Sequence, residues 1–421
     1  MLYERWRQIA RECRNEIALR DLGRGEAWTF AELAAAGEKD SSPGRIVFPR
    51  GPQFVFTLLR AWHSGQVVCP LEPDQAAPEF EQLPAGCAHL KTTSATGGVT
   101  RVVAFTEAQL AADADNIVAT MGLRRDWPNL GVISIAHSYG FSNLVLPLLL
   151  HGIPLMLLDV PLPELVRRAA GSAEFVTLAA VPALWRVWHD LAIIPENVRL
   201  AISAGAPLSL ALEQGIFAAR GLKVHNFYGS SECGGIAYDG SSAPRTNAAF
   251  VGTPLKNVQL SVGDDGCLQV RGRAVGQTYW PHPGAALADG CFCTSDLAEL
   301  RDGQVYLQGR AGDQINVAGR KLSPETIEKV LALHPSVREC LVFGAPSHDA
   351  ERADTIVACV EAGGPVTGEN LKQFLLDMLP AWQIPREWIF VKSFETNRGG
   401  KISRAKWRRK FMAGLAHDQS L

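Results

Sequence analysis

The chain lacks a charge excess of either sign. Its 41 Lys and Arg stand against 43 Asp and Glu, a formal net charge of -2. That removes the global basic surplus on which non-specific nucleic-acid binding draws, and no nucleic-acid partner is expected. It also lacks a long apolar run. The most membrane-like stretch, Leu144 to Leu158, is broken by Pro147, His151, Gly152 and Pro154, whereas spanning a bilayer takes about 20 apolar residues. A buried helix, a turn and a core strand are predicted there, and no membrane partner. The first twenty residues, MLYERWRQIARECRNEIALR, lack the apolar core and small-residue end of a secretory leader and predict an amphipathic helix. Paired cysteine spacing is missing too. The nine cysteines are odd in number and scattered, apart from Cys291 and Cys293, so neither a disulfide framework nor a zinc pattern is indicated, and a reduced, cytoplasmic setting is expected. Internal repeats and low-complexity tracts are missing as well.

What is present is a foldable chain: 47% hydrophobic and 20% charged residues over 421 positions, enough for two or three domains at roughly 100 to 200 residues each. From about residue 45 to 228, short β-rich runs (RIVFP, LGVISIAH, IPLMLL, EFVTLA, VRLAISAG, LKVHNFYG) alternate with stretches of helical period such as Leu208 to Arg220. This alternation is the mark of βαβ units and a mostly parallel sheet, with ligands expected beyond the carboxyl ends of the strands. From about 249 to 312 short strands with Gly and Asp turns predict a small antiparallel β subdomain. After Gly319 the order helix, strand, strand, helix, strand and a basic last helix predicts a compact α+β domain. The fold class expected is therefore α/β: a large N-terminal domain of mostly parallel sheet with helices, over 1–312, and a small mobile α+β domain, over 313–421.

Four separated segments carry chemistry. The first, Lys91-Thr-Thr-Ser-Ala-Thr-Gly-Gly-Val-Thr100-Arg101, is rich in hydroxyls and glycine and runs into an expected strand. Small residues let backbone N–H groups approach a phosphate and hydroxyls add donors. It does not have the GxxxxGK[ST] order of a Walker loop, and no GxGxxG follows the first strands, which disfavours a P-loop enzyme and a dinucleotide-dependent oxidoreductase. The second, Asn226-Phe-Tyr-Gly-Ser-Ser-Glu232, offers a ring that can stack on a purine and a hard carboxylate of the kind Mg²⁺ prefers. In the third, Thr294-Ser-Asp296 and Gly309-Arg-Ala-Gly-Asp313, a carboxylate suits two ribose hydroxyls and a guanidinium suits phosphate or ribose. The fourth, Asn397-Arg-Gly-Gly-Lys-Ile-Ser-Arg404, sets a lysine on a Gly-Gly hinge. Each segment taken singly also reads as an ordinary polar loop, strand-ending turn or solvated basic tail.

In this order and at these distances the segments resemble the adenylate-forming superfamily of acyl-CoA synthetases, peptide-synthetase adenylation domains and luciferases. Thr93 to Val103 looks like that family's T-S-G-T-T-G-x-P-K-G-V phosphate loop, His137-Ser-Tyr-Gly140 like its H-x-x-G segment, and Ser203-Ala-Gly-Ala-Pro207 like S-G-G-A-P. Asn226 to Glu232 looks like N-x-Y-G-x-T-E, Thr294 to Asp296 like T-G-D, Gly309 to Pro324 like the long hinge segment, and Lys401 like the lysine of the closing G-K. The resemblance implies that Thr93, Ser94 and Thr96 hold the β- and γ-phosphates of ATP. It implies that Asn226 bonds the adenine, Tyr228 stacks on it beside Gly229, and Gly205, Ala206 and Pro207 line its other side. It further gives Ser231 to the α-phosphate, Glu232 to Mg²⁺, Asp296 to the ribose diol and Arg310 to ribose and phosphate. Lys401 would be the catalytic cation of acid activation, Asp313 the pivot between domains, and Gly319 and Lys321 part of the face presented for the thiol. His137, Tyr139 and Ser203 would line the pocket of an aryl or medium acyl acid.

The activity so implied is ATP-dependent conversion of a small carboxylic acid to acyl-AMP with release of pyrophosphate, followed by transfer to the thiol of CoA. A ligase that loads the phosphopantetheine of an acyl carrier protein is the alternative within the family, and a non-catalytic nucleotide-binding module the alternative outside it. A homodimer is left open. The chain departs from the family at Ala95 and Val102, which replace loop glycines, at Thr100 for proline, at Arg101 for lysine and at Asn316 for a common hinge lysine. Only about 90 residues precede the phosphate loop, which predicts a shortened N-terminal region.

Overall fold

The computed structural model describes residues 1–39, 46–47, 51–71, 82–93, 101–158, 160–347, 354–395 and 402–414. Its centre is a 14-stranded sheet. Strands Ile17–Asp21, Leu155–Leu157, Asn129–Gly131, Val176–Ala180, Val198–Ser203 and Val224–Ser230 lie side by side and parallel. Side chains along them alternate between two apolar layers, as the period of a strand requires. Leu155 and Leu157 face one layer and Met156 the other; Ile202 and Ala201 divide in the same way. Helices cover both faces. Leu2–Glu12, Pro52–His63, Glu107–Met121 and Leu146–His151 lie on the first, and Pro163–Ala170, Pro182–Asp190 and Leu210–Arg220 on the second.

Local signals explain the helices. Leu210–Arg220 starts where Ser209 Oγ accepts the Leu212 N–H (3.3 Å) and stops at Gly221, whose φ of 62° is left-handed. Glu107–Met121 begins with a reciprocal Thr106/Gln109 cap and ends at Gly122 in the same conformation. The stretch Leu144 to Leu158 becomes the helix Leu146–His151, a turn at Gly152 and the strand Leu155–Leu157. Pro147 cannot donate to the Asn143 carbonyl, which accepts from Asn129 Nδ2 (3.3 Å) instead, and the chain there widens into the π-helical segment Phe141–Val145.

The antiparallel strands expected near 249–312 form, and they are hydrogen-bonded to the large sheet. Gly234–Tyr238, Phe250–Pro254, Gln304–Arg310, Cys291–Arg301, Cys267–Gly272 and Val258–Val262 continue it outward from Val224–Ser230. The smaller C-terminal α+β domain has its own sheet, Val337–Pro346, Asp354–Ala362 and Glu387–Val391, packed with helices Pro324–Leu331, Gly368–Leu376 and Arg404–Met412. A hairpin, Ile315–Val317 with Arg320–Leu322, joins this domain and was not legible in the sequence pattern. Among the described residues no helix is long and apolar enough to cross a membrane.

Two histidines are packed into this frame. His89 is buried and stacks on Phe141 (4.4 Å between centroids), and burial, with the Lys91 charge beside it, holds its pKa well below the usual value. Burial lowers that of His225 as well. In the unfolded chain both rings take up a proton near pH 6.5. Their contribution to stability is therefore complete above that pH and lost as pH falls below it, by at most about 1.4 kcal/mol per pH unit for each ring. Chemical denaturation at pH 7 and pH 5.5 should show this loss, and His89→Phe should flatten the slope.

Candidate active site

The site residues lie where the parallel strands end. Ser203 closes Val198–Ser203, and its Oγ, fully buried, has no hydrogen-bond partner among the described residues. The turn Gly205 to Pro207 follows, with Gly205 at a φ of 89° that favours glycine. Asn226, Tyr228 and Gly229 belong to the β-rich run LKVHNFYG. They lie within the strand Val224–Ser230, because the chain continues straight on to pair with Gly234–Tyr238. Asn226 is buried, Tyr228 half-buried and Gly229 exposed. Ser231 and Glu232 form the turn beyond it, with the Glu232 N–H donated to Ser230 Oγ (3.2 Å).

Asp296 and Arg310 are not turn residues. They face each other across the strands Cys291–Arg301 and Gln304–Arg310. Arg310 Nε donates to Asp296 Oδ1 (2.9 Å) and the Tyr228 hydroxyl to Asp296 Oδ2 (2.5 Å). The Asp296 N–H is fixed by Thr294 Oγ1 (3.0 Å). Burial, and then the Asp296 carboxylate, push the Tyr228 hydroxyl well above its usual pKa, so the phenol stays a donor. A phenol, a carboxylate and a guanidinium thus meet from segments 68 and 14 positions apart.

One site residue had no signal in the sequence. Tyr279 lies on the strand Thr278–Trp280, which pairs with Val102–Thr106 as the chain leaves the phosphate loop. Its hydroxyl donates to Glu232 Oε1 (3.2 Å), and the Arg101 guanidinium stands 5.1 Å from its ring. Burial, and then Glu232, push its pKa up to about 12. Only tertiary pairing sets Tyr279 there. The phosphate loop is closed at its base, since Thr93 N–H donates to the Arg101 carbonyl (2.8 Å) and Arg101 N–H to Thr93 Oγ1 (3.2 Å). Ser94, Thr96 and Lys401 lie outside the described residues.

His137 and Tyr139 are half-buried at the start of the helical stretch from Ser138. The Tyr139 hydroxyl reaches the carbonyls of Ala180 and Ile202 (3.4 Å each), and its ring lies 6.0 Å from Phe227. Asp313 accepts from Arg404 Nη1 (2.6 Å), whose other nitrogens hold Glu325, Glu328 and the Val342 carbonyl. The residue three beyond Lys401 is therefore moored to the expected pivot. Gly319 and Lys321 lie at the exposed tip of the hairpin. Two surface cavities, one lined by Ile17, Pro154 and Ser172 and one by Arg199, Arg220 and His225, lie at the opposite, N-terminal ends of the strands. They contain none of the residues expected at the site.

A sequence profile of the AMP-binding enzymes matches residues 81–285, and that of the AMP-binding enzyme C-terminal domain matches residues 326–401. The chain belongs to this adenylate-forming superfamily. The mitochondrial malonate–CoA ligases of Homo sapiens and Mus musculus are 27% and 25% identical over 376 and 367 residues, covering 76% and 74% of this chain. The match spans less than two thirds of their own length, 65% and 62%. A probable 2-succinylbenzoate–CoA ligase of Mycobacterium tuberculosis is 29% identical over 79% of this chain and 86% of its own. Among solved structures, ATP-bound MatB from Rhodopseudomonas palustris superposes with a TM-score of 0.86 at 19% identity, over 99% of this chain and 100% of that one. O-succinylbenzoate coenzyme A synthetase (MenE) from Bacillus subtilis, in complex with AMP, gives 0.79 at 22%, over 96% and 97%. At these identities the structures establish the adenylate-forming fold.

The backbone near His137 has no room to adjust. A Cβ at Gly140 would lie 2.1 Å from the Ser134 carbonyl oxygen. Gly140→Ala should therefore displace the His137–Tyr139 segment and lower the melting temperature. Gly240→Ala, where a Cβ meets only the Tyr238 ring at 3.7 Å, should leave it unchanged. Thermal unfolding of the two variants checks this.

Proposed function

We propose that the protein activates a carboxylic acid with ATP, releasing pyrophosphate and forming an acyl-adenylate, and then transfers the acyl group to the thiol of CoA. The observation that carries this reading is the chain of hydrogen bonds Tyr228–Asp296–Arg310 beside Glu232 at the ends of the parallel strands. In this reading Asn226, Tyr228 and the Gly205 to Pro207 turn hold the adenine, Asp296 takes the ribose diol, and Arg310 spans ribose and phosphate. Thr93, Ser94 and Thr96 receive the outer phosphates and Ser231 the α-phosphate. Ser203, a buried hydroxyl without a partner among the described residues, is a donor that an acid carboxylate beside His137 and Tyr139 would satisfy.

Mg²⁺ fits the donors present. Glu232 is a hard oxygen ligand oriented by Tyr279. Mg²⁺ commonly leans on one carboxylate and on substrate phosphates, and Glu232 would supply that carboxylate. When bound, the ion would neutralise charge on the departing pyrophosphate. The chain's own contribution is to align acid and α-phosphate for in-line attack, where placement alone can supply much of the acceleration. Residues 1–312 would form the body and 313–421 a lid that turns about Asp313, exchanging the Lys401 loop for the Gly319–Lys321 face before the thiol arrives. The reading places the chain in the cytoplasm, where ATP and CoA are at hand.

The relatives' names cover malonate, 2-succinylbenzoate and, in an Amycolatopsis feruloyl-CoA synthase 26% identical over 81% of this chain and 74% of its own, an aryl acid. Family membership therefore leaves the acid to experiment, and an aryl or medium acyl acid is the class proposed. A carrier protein as acceptor is the weaker alternative. Of the basic residues on the last helix, Arg404 is held by Asp313, Glu325 and Glu328 and Lys406 and Lys410 by Glu395, which leaves Arg408 and Arg409 without an ion-pair partner among the described residues and open to an acidic partner.

The test is ATP-dependent pyrophosphate release across a panel of aryl and aliphatic acids, followed by thioester assays with CoA and with a phosphopantetheinylated carrier. Release with at least one acid is expected, with CoA the better acceptor. ATP binding without turnover on any acid would instead establish a non-catalytic nucleotide module. Lys401→Ala should lower pyrophosphate exchange on the order of 10²- to 10³-fold yet spare thioester formation from synthetic acyl-AMP; equal loss in both assays contradicts the division of labour.

A further inference from the structure

Beneath the cleft lies a set of buried charges with no part in the reaction so far described. Lys91 is 3% exposed, Asp113 1% and Ser142 2%. Lys91 Nζ stands 3.6 Å from Asp113 Oδ2 and donates to Ser142 Oγ (3.1 Å), and the Ser142 hydroxyl donates to Asp113 Oδ2 (2.6 Å). The second carboxylate oxygen, Oδ1, accepts the Gly235 N–H (3.1 Å). The ammonium also lies 4.6 Å from the Phe105 ring and 5.6 Å from that of Phe141. The approach of Asp113 to the backbone depends on glycine, since a Cβ at Gly234 would lie 2.0 Å from Asp113 Oδ1.

Each member belongs to a different part of the cleft. Lys91 is on the strand Cys87–Thr92, which hands the chain to Thr93 and the phosphate loop. Ser142 sits in the π-helical segment that continues from His137, Tyr139 and Gly140. Gly235 stands three residues after Glu232. Asp113, on Glu107–Met121, joins all three. Apolar residues of similar volume would hold the same space as well or better, because a buried ion pair adds little net stability. What directional bonds add is a fixed relative placement of the groups they join.

The geometry points to Lys91, Asp113 and Ser142 as a positioning unit that sets the end of the strand Cys87–Thr92 at Thr93, the acid-pocket helix and the Glu232 turn at fixed distances from one another. This rests on the proposed function in one respect: the unit acts on acid activation, where acid and α-phosphate are two ligands that must be aligned. It has little effect on thiol transfer, where acyl and phosphate are already one molecule.

The decisive variant is the double substitution Lys91→Met with Asp113→Asn. It removes both charges, leaves no unpaired ion, and keeps an amide oxygen for the Gly235 N–H. The expected result is a melting temperature close to that of the unaltered protein, pyrophosphate exchange lowered by about 10- to 100-fold, and thioester formation from synthetic acyl-AMP little changed. Normal exchange in a stable double variant overturns the proposal, and so does equal loss in both half-reactions. Should the double variant not fold, Ser142→Ala, which leaves both charges paired, is expected to show the same one-sided loss at smaller size; no loss there overturns the proposal equally. Calorimetric binding of a non-hydrolysable ATP analogue separates this from failure of the functional reading. If the unaltered protein binds the analogue but releases pyrophosphate with no acid, the functional reading falls. The unit is then judged on binding alone: a drop in analogue affinity of about tenfold or more in the double variant supports it, and unchanged affinity overturns it.

Discussion

The strand Val224–Ser230 belongs to two kinds of sheet at once, and the cleft is organised around that fact. Its first half pairs in parallel with Val198–Ser203, matching Asn226 to Ser203. Its second half pairs antiparallel with Gly234–Tyr238, with a register shift between Tyr228 and Gly229. A parallel sheet collects its strand ends, and therefore its loops, along one edge. An antiparallel extension can carry strands past that edge. Asn226 thus stays level with Ser203 while Tyr228 is carried on to meet Asp296, and the register shift, where a bulge re-aims side chains, comes just beyond Tyr228.

Charges buried behind this edge hold it in place. Glu213 joins Lys223 and Arg245, Lys223 also joins Asp239 (2.6 Å), and Arg245 donates to the Leu208 carbonyl (2.6 Å) just after the Gly205 to Pro207 turn. Two cations face two anions, so the group is neutral, and removing any one member would strand its partners at a cost of about 3–5 kcal/mol. A second buried pair, Lys91 with Asp113, lies at the strand Cys87–Thr92. In the C-terminal domain Arg404 is surrounded by Asp313, Glu325 and Glu328. There burial raises the pKa of Glu328 while the guanidinium opposes it. The expected pivot, the start of the C-terminal domain and the chain just beyond Lys401 are thereby one bonded group.

Much of this was readable from residue order. The strand-and-helix alternation of 45–228, the C-terminal domain's order of elements, and the helix, turn and strand of Leu144 to Leu158 follow from period and punctuation, which are local properties. So do the glycines and hydroxyls that mark the segments carrying Asn226, Asp296 and Arg310. Asp296 and Arg310, taken singly, read as turn residues, because short polar segments favour turns; pairing across the strands Cys291–Arg301 and Gln304–Arg310 holds them extended. The antiparallel strands of 249–312 form as expected, and backbone hydrogen bonds join them to the large sheet.

The sequence by itself determined which groups the proposed nucleotide and acid sites draw on: a ring, two carboxylates, guanidinia and hydroxyl-rich loops, each in a segment whose local conformation its own residues encode. It also determined the family, since those segments occur in a fixed order. Only the tertiary structure decided which of them meet. Asp296 bonds Tyr228 and Arg310, Glu232 bonds Tyr279, and Lys91 is sealed against Asp113 and Ser142. Those meetings depend on the register between strands and on close packing across layers, and neither quantity is written in any single stretch of chain.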